Sequence, residues 1–124
     1  MEPPGHVRGM LLCHAGPHRL AFHAHEVASI TSPSGHVAAS ARRAFLEADG
    51  AARVLVSASG GAVGVDTLEI DAEPHPVLPA PLVTVRASGG SLQGFVLARG
   101  LLWPLVGLAD FERFLRGHHP GEGA

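Results

Sequence analysis

Ala62-Val63-Gly64-Val65-Asp66-Thr67-Leu68-Glu69-Ile70 is reached from Val54-Leu55-Val56-Ser57-Ala58 across Ser59-Gly60-Gly61, and the two runs read as a β-hairpin. A second pair repeats the pattern. Leu92 to Ala98, with Gly94-Phe95-Val96-Leu97 at its centre, turns through Arg99-Gly100 into Leu101-Leu102-Trp103-Pro104-Leu105-Val106. Strands this short, joined by glycine turns, build a small barrel. Pro104 lacks an N–H and therefore calls for an edge position or a bulge. Immediately afterwards the period changes. Leu108, Phe111, Phe114 and Leu115 form one helical stripe, with Asp110 and Glu112 early and Arg113 and Arg116 late, as the helix dipole prefers.

Working outward, Met10 to Ala15 and Arg19 to His23 read as two strands around the turn Gly16-Pro17-His18, with Leu20 and Phe22 on one face and Ala21 and His23 on the other. Glu26-Val27-Ala28-Ser29-Ile30 continues the extended chain until Thr31-Ser32-Pro33-Ser34-Gly35 breaks it. Val37, Ala41, Ala44, Phe45 and Ala48 fall at helical spacing before Gly50, which predicts a middle helix over Val37 to Ala48. Pro74, Pro76, Pro79 and Pro81 predict an extended connector, and Leu82 to Arg86 an edge strand.

The chain has 124 residues, enough for one domain with a substantial core. Its net charge of −2 supplies no basic footprint for nucleic acid. Lys, Asn and Tyr are absent, a bias that fits a GC-rich coding sequence and removes any inference from Arg enrichment. Met10-Leu11-Leu12-Cys13 is too short an apolar run for a signal peptide, and no run is long enough to span a membrane as a helix. The expected setting is cytoplasmic.

No catalytic pattern stands out. The single Cys13 excludes an intrachain disulfide and reads as a small buried hydrophobe; His14 points to the opposite face of the same strand. Ser57, Ser59 and Ser91 lack a nucleophile-elbow setting. Ser59 to Gly64 is glycine-rich, but without Lys it is no phosphate loop. Asp66 and Glu69 fall on opposite strand faces, which favours solvent exposure or a hydrogen bond to a turn over a carboxylate pair. Nine histidines raise the question of a metal, with His23 and His25 sharing a strand face and His118-His119 adjacent near the end. None has the spacing of a zinc motif. No catalytic, cofactor-binding or metal residue is assigned.

In order and spacing these motifs resemble the CheW-like domain, the adaptor fold of bacterial chemosensory systems. Met10 to Ile30 resembles the family's opening hairpin and its V-x-x-I turn, here Val27-Ala28-Ser29-Ile30. Gly64 to Ile70 resembles its G-x-x-V-D-x-V-x-x-V strand, shortened by a residue, and Gly94 to Leu115 its closing hairpin and helix. The likeness spans residues 10–30 and 54–115. The family's N-L-R-G segment is missing, Ser32 to Arg53 stands in its place, and Arg42-Arg43 match no family motif. Gly107 replaces the Asp that caps the family's last helix.

The resemblance implies a mostly β fold: a small CheW-like β-barrel with an incomplete first subdomain, one middle helix and one C-terminal helix. Residues 10–116 would form the domain, flanked by flexible tails at 1–9 and 117–124. It implies a non-catalytic adaptor that docks a CheA-type histidine kinase, a methyl-accepting chemoreceptor, or both, through apolar strand surfaces, without nucleic acid or membrane insertion. Val27 and Ile30 would touch the partner, with Val65 and Asp66 in the supporting strand. The alternative is a stand-alone β-barrel that binds a small ligand or a metal through its histidines.

Overall fold

The computed structural model describes residues 6–33 and 39–117. Among the described residues, nine strands fall into two groups. β1 (His6–Ala15), β2 (His18–His23), β7 (Thr67–Leu78), β8 (Leu92–Ala98) and β9 (Leu101–Val106) pair in the order β1-β2-β9-β8-β7, and β7 returns to β1. β3 (Val27–Thr31), β4 (Ala39–Ser40), β5 (Arg53–Ser57) and β6 (Ala62–Val65) form an open sheet ordered β3-β5-β6-β4. Two α-helices complete the fold: α1 (Leu82–Ala87) in the middle and α2 (Leu108–Arg116) at the C-terminal end.

The first group is a five-strand ring and not the true barrel anticipated from the hairpins. Two of its seams hold only two residue pairs each, Ala21↔Leu105 with Phe22↔Val106, and Val77↔Val96 with Leu78↔Phe95. At the second seam the backbone comes so close that a Cβ on Gly94 would lie 2.6 Å from the Leu78 carbonyl oxygen. Glycine is required there on steric grounds.

β1 explains how the two groups become one body. Met10 and Leu12 pack inside the ring with Val7, Ala21, Val96, Ala98, Trp103 and Leu105. Leu11, Cys13 and Ala15 face the other way, onto Leu55, Val63 and Val65 of the open sheet and Leu108, Phe111 and Leu115 of α2. A strand buried on both faces needs a continuous apolar run, which is why Met10 to Cys13 does not alternate. The β1–β2 hairpin keeps the expected faces, with Leu20 and Phe22 in the larger core and Ala21 inside the ring. β1 also takes in residues 6–9, which the sequence reading placed in the N-terminal tail.

The run from Ala62 to Ile70 is not one strand. It pairs with β5 only as far as Val65, passes through Asp66, and enters the ring as β7. Nor do the prolines end it, because Pro74 and Pro76 continue in β7 opposite Arg8 and His6 of β1. Pro104 sits in β9 between β8 and β2, not at an edge, but the β2 ladder begins only at Leu105, so on that side its missing N–H costs no ladder bond.

The middle helix lies elsewhere than the periodicity placed it. Of the segment Val37 to Ala48, residues 37 and 38 lie outside the described residues; Ala39–Ser40 is strand β4, parallel to β6, and Ala41–Phe45 is a 3-10 turn ended by Leu46 in the left-handed region. Within that turn only Ala41 is fully buried, so a long α-helix there would have little apolar face to stabilise it. The middle α-helix is instead α1, where an edge strand was expected. Pro81 opens it, the carbonyl of Pro81 accepts from the Val85 N–H at 3.1 Å and the Thr84 hydroxyl at 2.6 Å, and Gly89 and Gly90, both at positive φ, close it.

α2 matches its predicted stripe, with Leu108, Phe111 and Leu115 buried. Gly107 offers no side-chain cap, and Glu26 supplies one from outside the helix by accepting from the Leu108 N–H at 3.2 Å. Glu112 reaches the open sheet and accepts from the Ala62 N–H at 2.5 Å. Among the described residues no helix is long and apolar enough to cross a membrane.

Candidate functional site

Two surfaces gather the residues of interest. The first is the β3 border of the open sheet. Among the described residues β3 pairs with β5 on one side only, Val27↔Ser57 and Ser29↔Val56 through Thr31↔Val54, with a register shift between Val27 and Ser29. Val27 is half-buried against the larger core, whereas Ala28, Ser29 and Ile30 are exposed and the Ile30 side chain is 39% accessible. The strand Val27-Ala28-Ser29-Ile30-Thr31 carries no charge and no proline. Those are the usual devices that keep a strand edge from pairing with another chain.

Val65 and Asp66 lie two strands away and do not share that surface. Val65 is buried in the larger core. Asp66 marks the passage between the sheets, where its own N–H donates to the His14 carbonyl at 2.8 Å. Its carboxylate accepts two hydrogen bonds from Arg42, Nη2 to Oδ1 at 2.8 Å and Nε to Oδ2 at 3.0 Å, and a further one from the Gly16 N–H. The Arg42 pair holds the Asp66 carboxyl below the usual carboxylate range; partial burial opposes this and the Gly16 N–H adds to it. The turn that sequence reasoning offered Asp66 as a partner is therefore Gly16-Pro17, but its main partner, Arg42, could not be found from spacing.

The second surface is a cleft of about 420 Å³ on the ring, lined by Pro17, His18, Arg19, Phe45, Phe95, Leu102 and Pro104. Sequence reasoning missed it because its walls come from four separate stretches of chain. His18 stacks on Phe45 with centroids 4.0 Å apart and planes 6° from parallel, and its Nε2 lies 3.5 Å from Glu47 Oε1. Arg19 Nε donates to the Leu102 carbonyl at 3.0 Å, with its guanidinium carbon 5.9 Å from the Trp103 ring centroid. Phe45 and Pro104 also border an adjoining apolar cavity of about 220 Å³ between α1, α2 and the ring.

The described histidines are dispersed among different partners. His14 meets Thr67 at 3.0 Å, His23 meets Gln93 at 2.7 Å, and His75 meets Asp71 at 3.1 Å. His23 and His25 are neighbours, with ring centroids 5.2 Å apart. Among the described residues no three His, Cys, Asp or Glu side chains converge as a metal site. His118 and His119 lie outside the described residues. Cys13 is fully enclosed, and burial pushes its thiol up to about 12. Burial pushes the Asp71 carboxyl upward, but the Glu73 N–H, His75 and Arg99 together outweigh it and leave the group lowered.

No family model matches this chain, and no curated protein matches it.

Proposed function

We propose that this protein is a non-catalytic adaptor of the CheW-like kind, whose open sheet docks a CheA-type histidine kinase or a methyl-accepting chemoreceptor in the cytoplasm. The observation that carries this reading is the β3 border, an uncharged strand with Ile30 exposed and one side unpaired within the sheet. A strand added there would gain main-chain hydrogen bonds, and Ile30 would offer it an apolar contact. The division into a ring and a sheet of only four strands is in keeping with a family domain whose first subdomain has lost strands. Val65 and Asp66 stand away from that border and act on the sheet as a whole, Val65 by packing in the core and Asp66 by holding the point where the chain leaves the sheet.

The reading without turnover rests on the resemblance, and burial removes one candidate nucleophile, Cys13. A thiol held near 12 is not a thiolate at neutral pH, so Cys13 is a poor nucleophile. The test is titration of the full chain with a chemoreceptor tip and, separately, with the regulatory domain of a CheA-type kinase. Saturable binding that Ile30→Asp abolishes supports the adaptor reading; no association at tens of micromolar with either partner removes it.

A further inference from the structure

The ring carries a cleft that the adaptor reading does not use. Phe95 of β8 stands opposite Pro104 of β9, and these two with Leu102 form one wall, which Leu97, paired with Leu102, extends outside the cleft. Leu97 and Leu102 are each about half exposed, an unusual position for two directly paired leucines. The opposite wall is the His18–Phe45 stack. Phe45 and Pro104 are shared with the smaller apolar cavity, which Leu20, Leu92, Val106 and Phe114 also border.

One cation lies against the first wall. Arg19 uses its Nε on the Leu102 carbonyl, and its Nη1 and Nη2 have no hydrogen-bond partner among the described residues. The guanidinium is held at one end by that bond and by Trp103, so little side-chain freedom is left to lose on binding an anion. No acidic residue lines the cleft among the described residues, and Glu47 lies against His18 at 3.5 Å. A fixed guanidinium beside an apolar wall, with a cavity large enough for one aliphatic side chain adjoining it, matches an apolar residue next to a carboxylate.

We propose that this cleft binds a partner polypeptide segment in which a large aliphatic side chain adjoins an Asp or Glu. The aliphatic group packs at Phe45 and Pro104, and the carboxylate accepts from Arg19. This surface belongs to the ring and not to β3, so its failure leaves the adaptor reading standing, and the converse also holds.

The experiment is an NMR titration of the isotope-labelled full chain with an acetylated, amidated leucine–aspartate–leucine tripeptide and with its asparagine counterpart. Shifts confined to residues around 17–19, 45, 95 and 102–104 are expected, with the aspartate peptide binding roughly tenfold tighter, as a charge-assisted hydrogen bond predicts. Arg19→Gln should reduce that preference to near unity. The wild-type comparison stands by itself if the variant fails to fold. Equal affinity for the two peptides, or no shift at the cleft at millimolar peptide, overturns the proposal.

Discussion

Arg42 and Asp66 form a two-bond guanidinium–carboxylate pair, 2.8 and 3.0 Å long, across the point where the chain passes from the open sheet into the ring. Arg42 belongs to the 3-10 turn after β4, and Asp66 separates β6 from β7. The Gly16 N–H joins the same carboxylate from the β1–β2 turn. Three segments distant in sequence are thus tied at one charged group.

That tie makes stability acid-sensitive. The Asp66 carboxyl is lowered in the folded protein, so its contribution is complete above the ordinary carboxylate range near pH 4 and is lost as pH falls through the lowered value. Asp66→Asn should cost about 1 kcal/mol at neutral pH, discounted for partial solvent access, and the difference from the parent should shrink below about pH 4. Urea unfolding at several pH values measures this. A constant difference down to pH 2 would contradict the assignment.

Leu46 is 91% exposed and sits at φ 59°, a conformation that costs a leucine roughly 1–2 kcal/mol. Leu46→Gly removes the steric cost at the price of some chain entropy. A gain of about 0.5–1 kcal/mol is expected by thermal unfolding.

Phe22 is fully buried at the centre of the larger core, edge-on to Phe111 at 5.8 Å. Phe22→Ala should cost about 3–5 kcal/mol, since neither the sheets nor α2 can collapse fully into the space. Denaturant titration would show a lower midpoint; a loss under about 1 kcal/mol would mean the ring and open sheet are not packed as described.

Cys13 should resist alkylation. With its thiol enclosed and pushed up to about 12, iodoacetamide at pH 8 ought to modify it at the rate of unfolding and no faster. Mass spectrometry across a urea series tests this, and rapid labelling of the folded chain would be the contrary result.

Ile30→Asp should cost no more than about 1 kcal/mol of stability, because Ile30 is partly exposed at a sheet border and the loss is mainly one of strand propensity. Calorimetric titration with the proposed kinase and receptor partners should nevertheless show a large loss of binding. An unaltered affinity would move the docking surface away from β3.

Several features were legible in the residues themselves. Alternation and glycine turns gave the β1–β2, β5–β6 and β8–β9 hairpins, and a 3.6-residue stripe gave α2. Local patterns carry these because each is a contact between near neighbours in sequence. The same logic misplaced the middle helix: Leu82 to Arg86 alternates like a strand, yet Pro81 and the Gly89-Gly90 pair close it into α1. Of the site residues, sequence placed Ile30 on an extended segment but could not show that β3 would be left at a border.

Only the tertiary structure decided what a strand does once it has formed. The apolar positions of Ala62 to Ile70 change phase between Val65 and Leu68, but spacing alone does not say that the two halves pair on different sheets, and nothing in it names Arg42 as the group that holds the break. The cleft beside Arg19 likewise comes from segments brought together by packing. Periodicity determines which face of an element is apolar; long-range pairing and the geometry of charge decide which face it meets.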